Sequence, residues 1–167
     1  MDTERKTKKA VSEQEALLKL SALCARSEHS SGEMLDKMRR WQMPEEAQAR
    51  VVERLVADKY VDDARFAQFF VRDKMRFDKW GRRKIEQALY RKGVARETIR
   101  EALDSVPDGE YVEILRPMLA AKRRSTKASS QYEMDNKLIK FALGRGFDFN
   151  VIRQCIDNAD EHDIPFD

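Results

Sequence analysis

Residues 85–103 read IEQALYRKGVARETIREAL. Ile85, Ala88 and Leu89 recur at helical spacing, Gly93 supplies a residue free to take the left-handed backbone conformation, and Ile99, Ala102 and Leu103 start a second apolar stripe. The stretch predicts two short amphipathic helices joined by a glycine turn. The pattern returns at 138–156, LIKFALGRGFDFNVIRQCI, and at 34–52, MLDKMRRWQMPEEAQARVV. Six columns align: Met34/Ile85/Leu138, Met38/Leu89/Ala142, Gln42/Gly93/Gly146, Met43/Val94/Phe147, Gln48/Ile99/Ile152 and Val52/Leu103/Ile156, at constant offsets of 51 and 53 residues. Lys84 with Lys137, and Arg100 with Arg153, extend the match between the later two copies. Gln42 and Gln48 are the two positions at which the first copy departs from the pattern.

A further helix precedes each copy. Ser12 and Glu15 have capping-box spacing ahead of Ala16, Leu17, Leu20, Leu23 and Cys24. Asp62 can cap a helix whose apolar face is Phe66, Phe69, Phe70 and Phe77, with Tyr60 and Phe66 spaced as a hydrophobic staple. After Pro107, Asp108 and Gly109, a helix carries Tyr111, Ile114, Leu115, Met118 and Leu119, with Pro117 marking a kink or a later start. Ser30/Glu33 and Ser130/Glu133 repeat the capping box, Pro44 suits the first turn of the helix on Ala47, Val51, Leu55 and Val56, and Asp148 can cap the last helix.

The expected fold is therefore all-α: three tandem three-helix, helix-turn-helix-like repeats in an elongated, curved array. The expected division is a flexible basic tail over 1–11, repeats over 12–59, 60–106 and 110–159, a linker at 107–109 and an acidic tail over 160–167. Only 6 Gly and 4 Pro among 167 residues agree with long helical content.

Net charge is only +3, but its distribution is uneven. Residues 72–92 hold nine basic and three acidic side chains, residues 116–127 hold five basic and none acidic, and the last eleven residues hold five acidic ones without Lys or Arg. The basic clusters nominate Arg65, Arg72, Lys74, Arg76, Lys79, Arg82, Arg83, Lys84, Arg91, Lys92, Lys122, Arg123, Arg124 and Lys127 as contacts for phosphates or an acidic protein surface. Trp80, beside Gly81, could stack on a base, though burial between helices is its simpler use.

Catalysis finds no support in the sequence. His29 and His162 are solitary, no phosphate-cradling glycine loop occurs, Asp62 stands where a cap is wanted, and Cys24 and Cys155 read as reduced core thiols. Neither cofactor nor metal is expected. No apolar run is long enough for a membrane span, and no signal-type segment follows the charged residues 1–10, so the expectation is a cytoplasmic monomer.

The run Tyr60-Val61-Asp62-Asp63-Ala64-Arg65-Phe66-Ala67, then Gly81-Arg82-Arg83-Lys84-Ile85 and Lys92-Gly93-Val94, resembles the RecX family, and Arg145-Gly146-Phe147 resembles that family's closing repeat. The resemblance implies a regulator of the RecA recombinase that lies in the groove of the RecA filament on DNA. There it would block strand exchange and coprotease activity, or promote filament loss, in recombinational repair and the SOS response. Beside the RecA filament, single- or double-stranded DNA touching the basic faces is a candidate partner. The alternative from the residues alone is a helix-turn-helix, DNA-binding regulator of transcription whose helices enter a major groove, and a helical-repeat adaptor is the third reading.

Overall fold

A computed structural model of the chain describes residues 10–157 and 159–162. The tails expected over 1–11 and 160–167 lie largely outside these residues. The helices are α1 (Glu13–Arg26), α2 (Ser31–Arg40), α3 (Glu45–Ala57), α4 (Asp63–Asp73), α5 (Arg82–Arg91), α6 (Arg96–Asp104), α7 (Asp108–Ser125), α8 (Gln131–Gly144) and α9 (Phe149–Cys155). A π-helical turn, Lys74–Asp78, extends α4, and a 3-10 turn spans Ala159–Glu161. The fold is all-α, and no strand occurs among the described residues.

The three-helix repeat is visible in the backbone. The second helices end at Arg40, Arg91 and Gly144, and the third begin behind the N-caps Pro44, Ala95 and Asp148, again at offsets of 51 and 53. Between them, Gln42, Gly93 and Gly146 all adopt positive φ, at 57°, 76° and 90°. Gln42 therefore does the conformational work of the two glycines, at the steric cost a Cβ brings in the left-handed region. The second odd position is also explained: buried Gln48 turns its side-chain amide back to donate a 2.8 Å hydrogen bond to the Met43 carbonyl.

The chain divides into two compact units. Among the described residues, one comprises those up to Phe66 together with Lys92–Val94; the other comprises Ala67–Arg91 and those from Ala95 onward. The core of the first is Ala16, Leu20, Met34, Met38, Met43, Ala47, Val51, Leu55 and Val61, supplied by α1, α2, α3 and the approach to α4. Ser30 is fully buried, closes a two-way capping box with Glu33 and donates to the Lys92 carbonyl at 2.6 Å. Gly32, in the first turn of α2, lies so close to Lys92 and Gly93 that a Cβ there would collide with their backbone. Asp63 receives the Ser31 main-chain N–H at 2.8 Å and the Ser31 hydroxyl at 2.5 Å. Asp62 caps α4 by accepting the Arg65 N–H at 3.0 Å, the structural role expected of it.

In the second unit, α7 packs against α8, α9 and the π-helical turn, while α5 packs against α6. Its buried residues include Val71, Met75, Ile85, Leu89, Ile99, Leu103, Tyr111, Leu115, Leu138, Ile139, Phe147 and Ile152. Gly81 N donates to the Arg145 carbonyl and Arg83 N to that of Gly146, each at 2.9 Å. A Cβ on Gly81 would strike the backbone of Gly146 and Phe147.

Several local expectations need correction. Phe69 and Phe77 are not core residues but 60% and 78% exposed, and the buried face of α4 is Phe66, Ala67, Phe70, Val71 and Met75. The wider turn at Lys74–Asp78 rotates the stripe, so an unbroken 3.6-residue period misplaces Phe77. Val56 is half exposed, and Tyr60 is 39% exposed while its neighbour Val61 is buried, so Val61 holds the inward position before the Asp62 cap. Asp108 and Gly109 are the first turn of α7, with Pro107 as N-cap, rather than a linker. Pro at the helix entrance sacrifices no hydrogen bond, and Asp108 complements the positive helix end. Pro117 lies within α7, which continues through it. Asp148 occupies the N-cap of α9 without bonding a helix amide through its side chain.

Candidate functional site

The nominated cations separate by what already holds them. In the first unit, Arg65 pairs with Glu28 at 2.8 Å and reaches the Lys59 carbonyl, and Lys92 lies 3.9 Å from Glu33. In the second, Arg72 lies 3.7 Å from Glu110, Lys74 pairs with Asp78 at 2.9 Å, and Arg123 lies 3.5 Å from Asp135. Arg82 pairs with Asp104 at 2.5 Å, tying the start of α5 to the end of α6. Burial lowers the Arg82 pKa, but the bond to Asp104 and the nearby Asp148 outweigh it and raise the value overall. Asp148 itself is pushed up, by burial first, against the opposing pull of Arg82 and Arg83. Arg82 is thus largely an internal tie.

Trp80 is half-buried and clamped rather than offered to a base: the Lys74 and Lys84 ammonium groups lie 5.1 and 4.8 Å from its ring centroid. Lys122 and Arg145 clamp Phe141 in the same way, at 5.1 and 5.6 Å. Such contacts hold positive charge at the surface of the second unit while using the side chains' stems for packing. Among the described residues, Arg76, Lys79, Arg91, Arg124 and Lys127 carry no ion pair, and Lys127 engages Lys137 only through its carbonyl.

The structure also brings together residues that the linear charge pattern missed. Between α5 and α6 lies an open cleft of about 950 Å³, floored by Ile99 and Leu103 and lined by Arg82, Arg83, Arg91, Arg96 and Arg100 against Glu86 and Glu97. Tyr90, 61% exposed, stands in this cleft with the Arg96 guanidinium 6.0 Å from its ring centroid. Arg96 and Arg100 escaped because they lie outside the dense basic runs, and Tyr90 because it carries no charge. The turn at Gly93 folds α6 back on α5 and places them beside Arg83 and Arg91.

No constellation suited to catalysis accompanies the cleft, and no group of three or more His, Cys, Asp or Glu able to hold a metal occurs among the described residues. Cys24 and Cys155 are free and partly buried, and burial raises both thiol pKa values, which suppresses thiolate reactivity. No helix among the described residues is long and apolar enough to cross a membrane.

Comparison with known proteins matches residues 62–103 to the second three-helix domain of RecX and residues 109–156 to the third, together more than half of the chain. A regulatory protein RecX from Oceanobacillus iheyensis is 30% identical over 131 residues, covering 78% of this chain and 48% of that protein. One from Lactobacillus johnsonii is 28% identical over 155 residues, covering 93% and 57%. This chain therefore spans about half the length of such relatives. The crystal structure of RecX from Lactobacillus salivarius superimposes with a TM-score of 0.79 at 22% identity, covering 90% of this chain and 97% of that one. On the two domain matches, the relatives and the shared fold, the chain belongs to the RecX family of regulatory proteins.

Proposed function

We propose that this protein binds the RecA–DNA filament in the cytoplasm and restrains RecA's recombinase, ATPase and coprotease activities, acting as a monomer and without chemistry of its own. The observation that carries the reading is the cationic surface of the second unit, where the α5–α6 cleft gathers Arg83, Arg91, Arg96 and Arg100 beside the internally tied Arg82, and Lys84 and Lys122 lie over the rings of Trp80 and Phe141. DNA in a filament carries phosphates, and solvated Lys and Arg side chains suit phosphates and protein carboxylates alike.

Operator reading by a helix-turn-helix is less well supported. The buried face of α6 uses Ile99, Ala102 and Leu103, leaving Arg96, Glu97, Arg100 and Glu101 outward, and the two carboxylates there would oppose entry into a major groove.

The test is the single-stranded-DNA-dependent ATPase of the cognate RecA, titrated with this protein at fixed salt. Substoichiometric inhibition is expected. Arg76→Ala, Arg91→Ala and Arg124→Ala combined, which disturb no ion pair, should raise the half-inhibiting concentration roughly tenfold and flatten its salt dependence. Full inhibition by that folded triple variant would remove the basic surface from the mechanism. No effect of the unaltered protein on RecA, together with tight binding of one specific duplex, would replace the proposal with the operator reading.

A further inference from the structure

The geometry points to the α5–α6 cleft as a single-stranded nucleic-acid site in which Tyr90 stacks on a base and Arg83, Arg91, Arg96 and Arg100 hold the flanking phosphates. It rests, for its biological setting, on the reading of the second unit as the filament-facing one.

Three observations in the cleft converge. Tyr90 is a large aromatic left 61% exposed on the wall of the arginine-lined cleft, with its ring open to a ligand entering there. Arg96 sits over the Tyr90 ring at 6.0 Å, an arrangement that supports the ring from one side and brings positive charge to a base stacked on it. The surrounding cleft is concave and arginine-rich, and its 950 Å³ lies at the upper end of the volumes that enclose small ligands, enough for a few nucleotides but not for a double helix.

Glu86 and Glu97 decide between partners. They share the cleft with the arginines and would repel the closely spaced charges of a duplex or an acidic peptide. A single strand can bend its phosphates toward the arginines and away from both carboxylates while a base occupies Tyr90.

The full-length protein, without RecA, is titrated into a fluorescently labelled oligothymidylate of about 16 nucleotides, the upper end of common site sizes, and anisotropy is read. Tyr90→Ala should weaken binding roughly 5- to 150-fold, the range for losing one stacked base. Tyr90→Phe should bind as the unaltered protein does, because the ring and not the hydroxyl makes the contact. Arg100→Ala should lower the slope of log affinity against log salt by about 0.7. Circular dichroism verifies that each exposed substitution leaves the helices intact.

The assignment is overturned if Tyr90→Ala binds as tightly as the unaltered protein, if Tyr90→Phe is as damaging as Tyr90→Ala, or if the unaltered protein does not bind the oligonucleotide. A polyglutamate peptide that displaces oligothymidylate at matched charge would overturn it in favour of an acidic-peptide groove. The RecA ATPase measured alongside separates the two readings. Inhibition without oligothymidylate binding leaves the filament role standing and this site refuted; Tyr90-dependent binding without inhibition does the reverse.

Discussion

The Ser30 hydroxyl donates a 2.6 Å hydrogen bond to the main-chain carbonyl of Lys92, 62 residues downstream within the first compact unit. Its counterpart in the second unit is the 2.9 Å bond from Gly81 N to the Arg145 carbonyl. Ser30 and Gly81 stand 51 residues apart and Lys92 and Arg145 stand 53 apart, the offsets of the sequence repeat. In both places the carbonyl just before a left-handed glycine is received at the start of another second helix.

Ser30 has two duties, since its oxygen also accepts the Glu33 N–H at 3.1 Å. Ser30→Ala removes the cap and leaves the partly buried Lys92 carbonyl without that donor. Loss of about 2 kcal/mol is expected, summing a typical cap with one partly buried hydrogen bond. Urea unfolding would measure it. A loss within experimental error would mean that the hydroxyl contributes nothing to the joint.

Glycine-to-alanine substitutions should divide by position rather than by helix propensity. Gly32→Ala and Gly81→Ala place a methyl into opposing backbone and should destabilise by at least about 1–3 kcal/mol. Gly144→Ala, in the last turn of α8 with open space around the new methyl, should stabilise by roughly 0.5–1 kcal/mol. Thermal unfolding of the three variants gives the signs directly. Similar stabilisation by all three would rule out close packing at Gly32 and Gly81.

Much of this architecture was legible because the apolar columns and the glycine turn are local signals that survive in one strand of text. Met34, Ile85 and Leu138 are all fully buried, as their column predicts. Phe69, Phe77 and Val56 were misplaced for a physical reason: the π-helical turn shifts the stripe, and a short helix offers more apolar positions than its packed face can use. The candidate site was only partly legible. The dense run Arg82–Lys84 attracts attention, yet Arg82 is spent on Asp104 and Lys84 on Trp80. Arg96 and Arg100 stand next to Glu97 and Glu101, Tyr90 is uncharged, and the three become a cluster with Arg83 and Arg91 only when α6 folds back against α5.

Gln42 occupies the left-handed position, at φ 57°, that its counterparts Gly93 and Gly146 fill without strain. Gln42→Gly relieves a conformational cost of about 1–2 kcal/mol but gives the unfolded chain about 0.5–1 kcal/mol of extra freedom. A net gain of up to about 1 kcal/mol is expected, whereas Gln42→Val, β-branched at the same φ, should lose more than that. Denaturant midpoints would order the three proteins Gly above Gln above Val. The reverse order would show that the Gln42 side chain holds the turn by contacts outweighing its backbone strain.

Tyr111 is almost completely buried, and its hydroxyl has no protein hydrogen-bond partner. Burial, followed by the opposing effect of Arg82 and the neighbouring acids Asp148, Asp108 and Glu110, pushes its pKa up to about 12. The unfolded chain would release that proton near the ordinary value of 10. Between about pH 10 and about pH 12 the folded state therefore binds more protons than the unfolded one, and stability falls as pH rises through that window. Tyr111→Phe removes both the stranded hydroxyl and this titration. It should leave stability at neutral pH unchanged or raise it by about 1 kcal/mol, and it should flatten the alkaline decline. Unfolding curves for both proteins from neutral pH to about 12 provide the test, because Tyr111→Phe costing stability at neutral pH would mean the hydroxyl is satisfied in the folded protein after all.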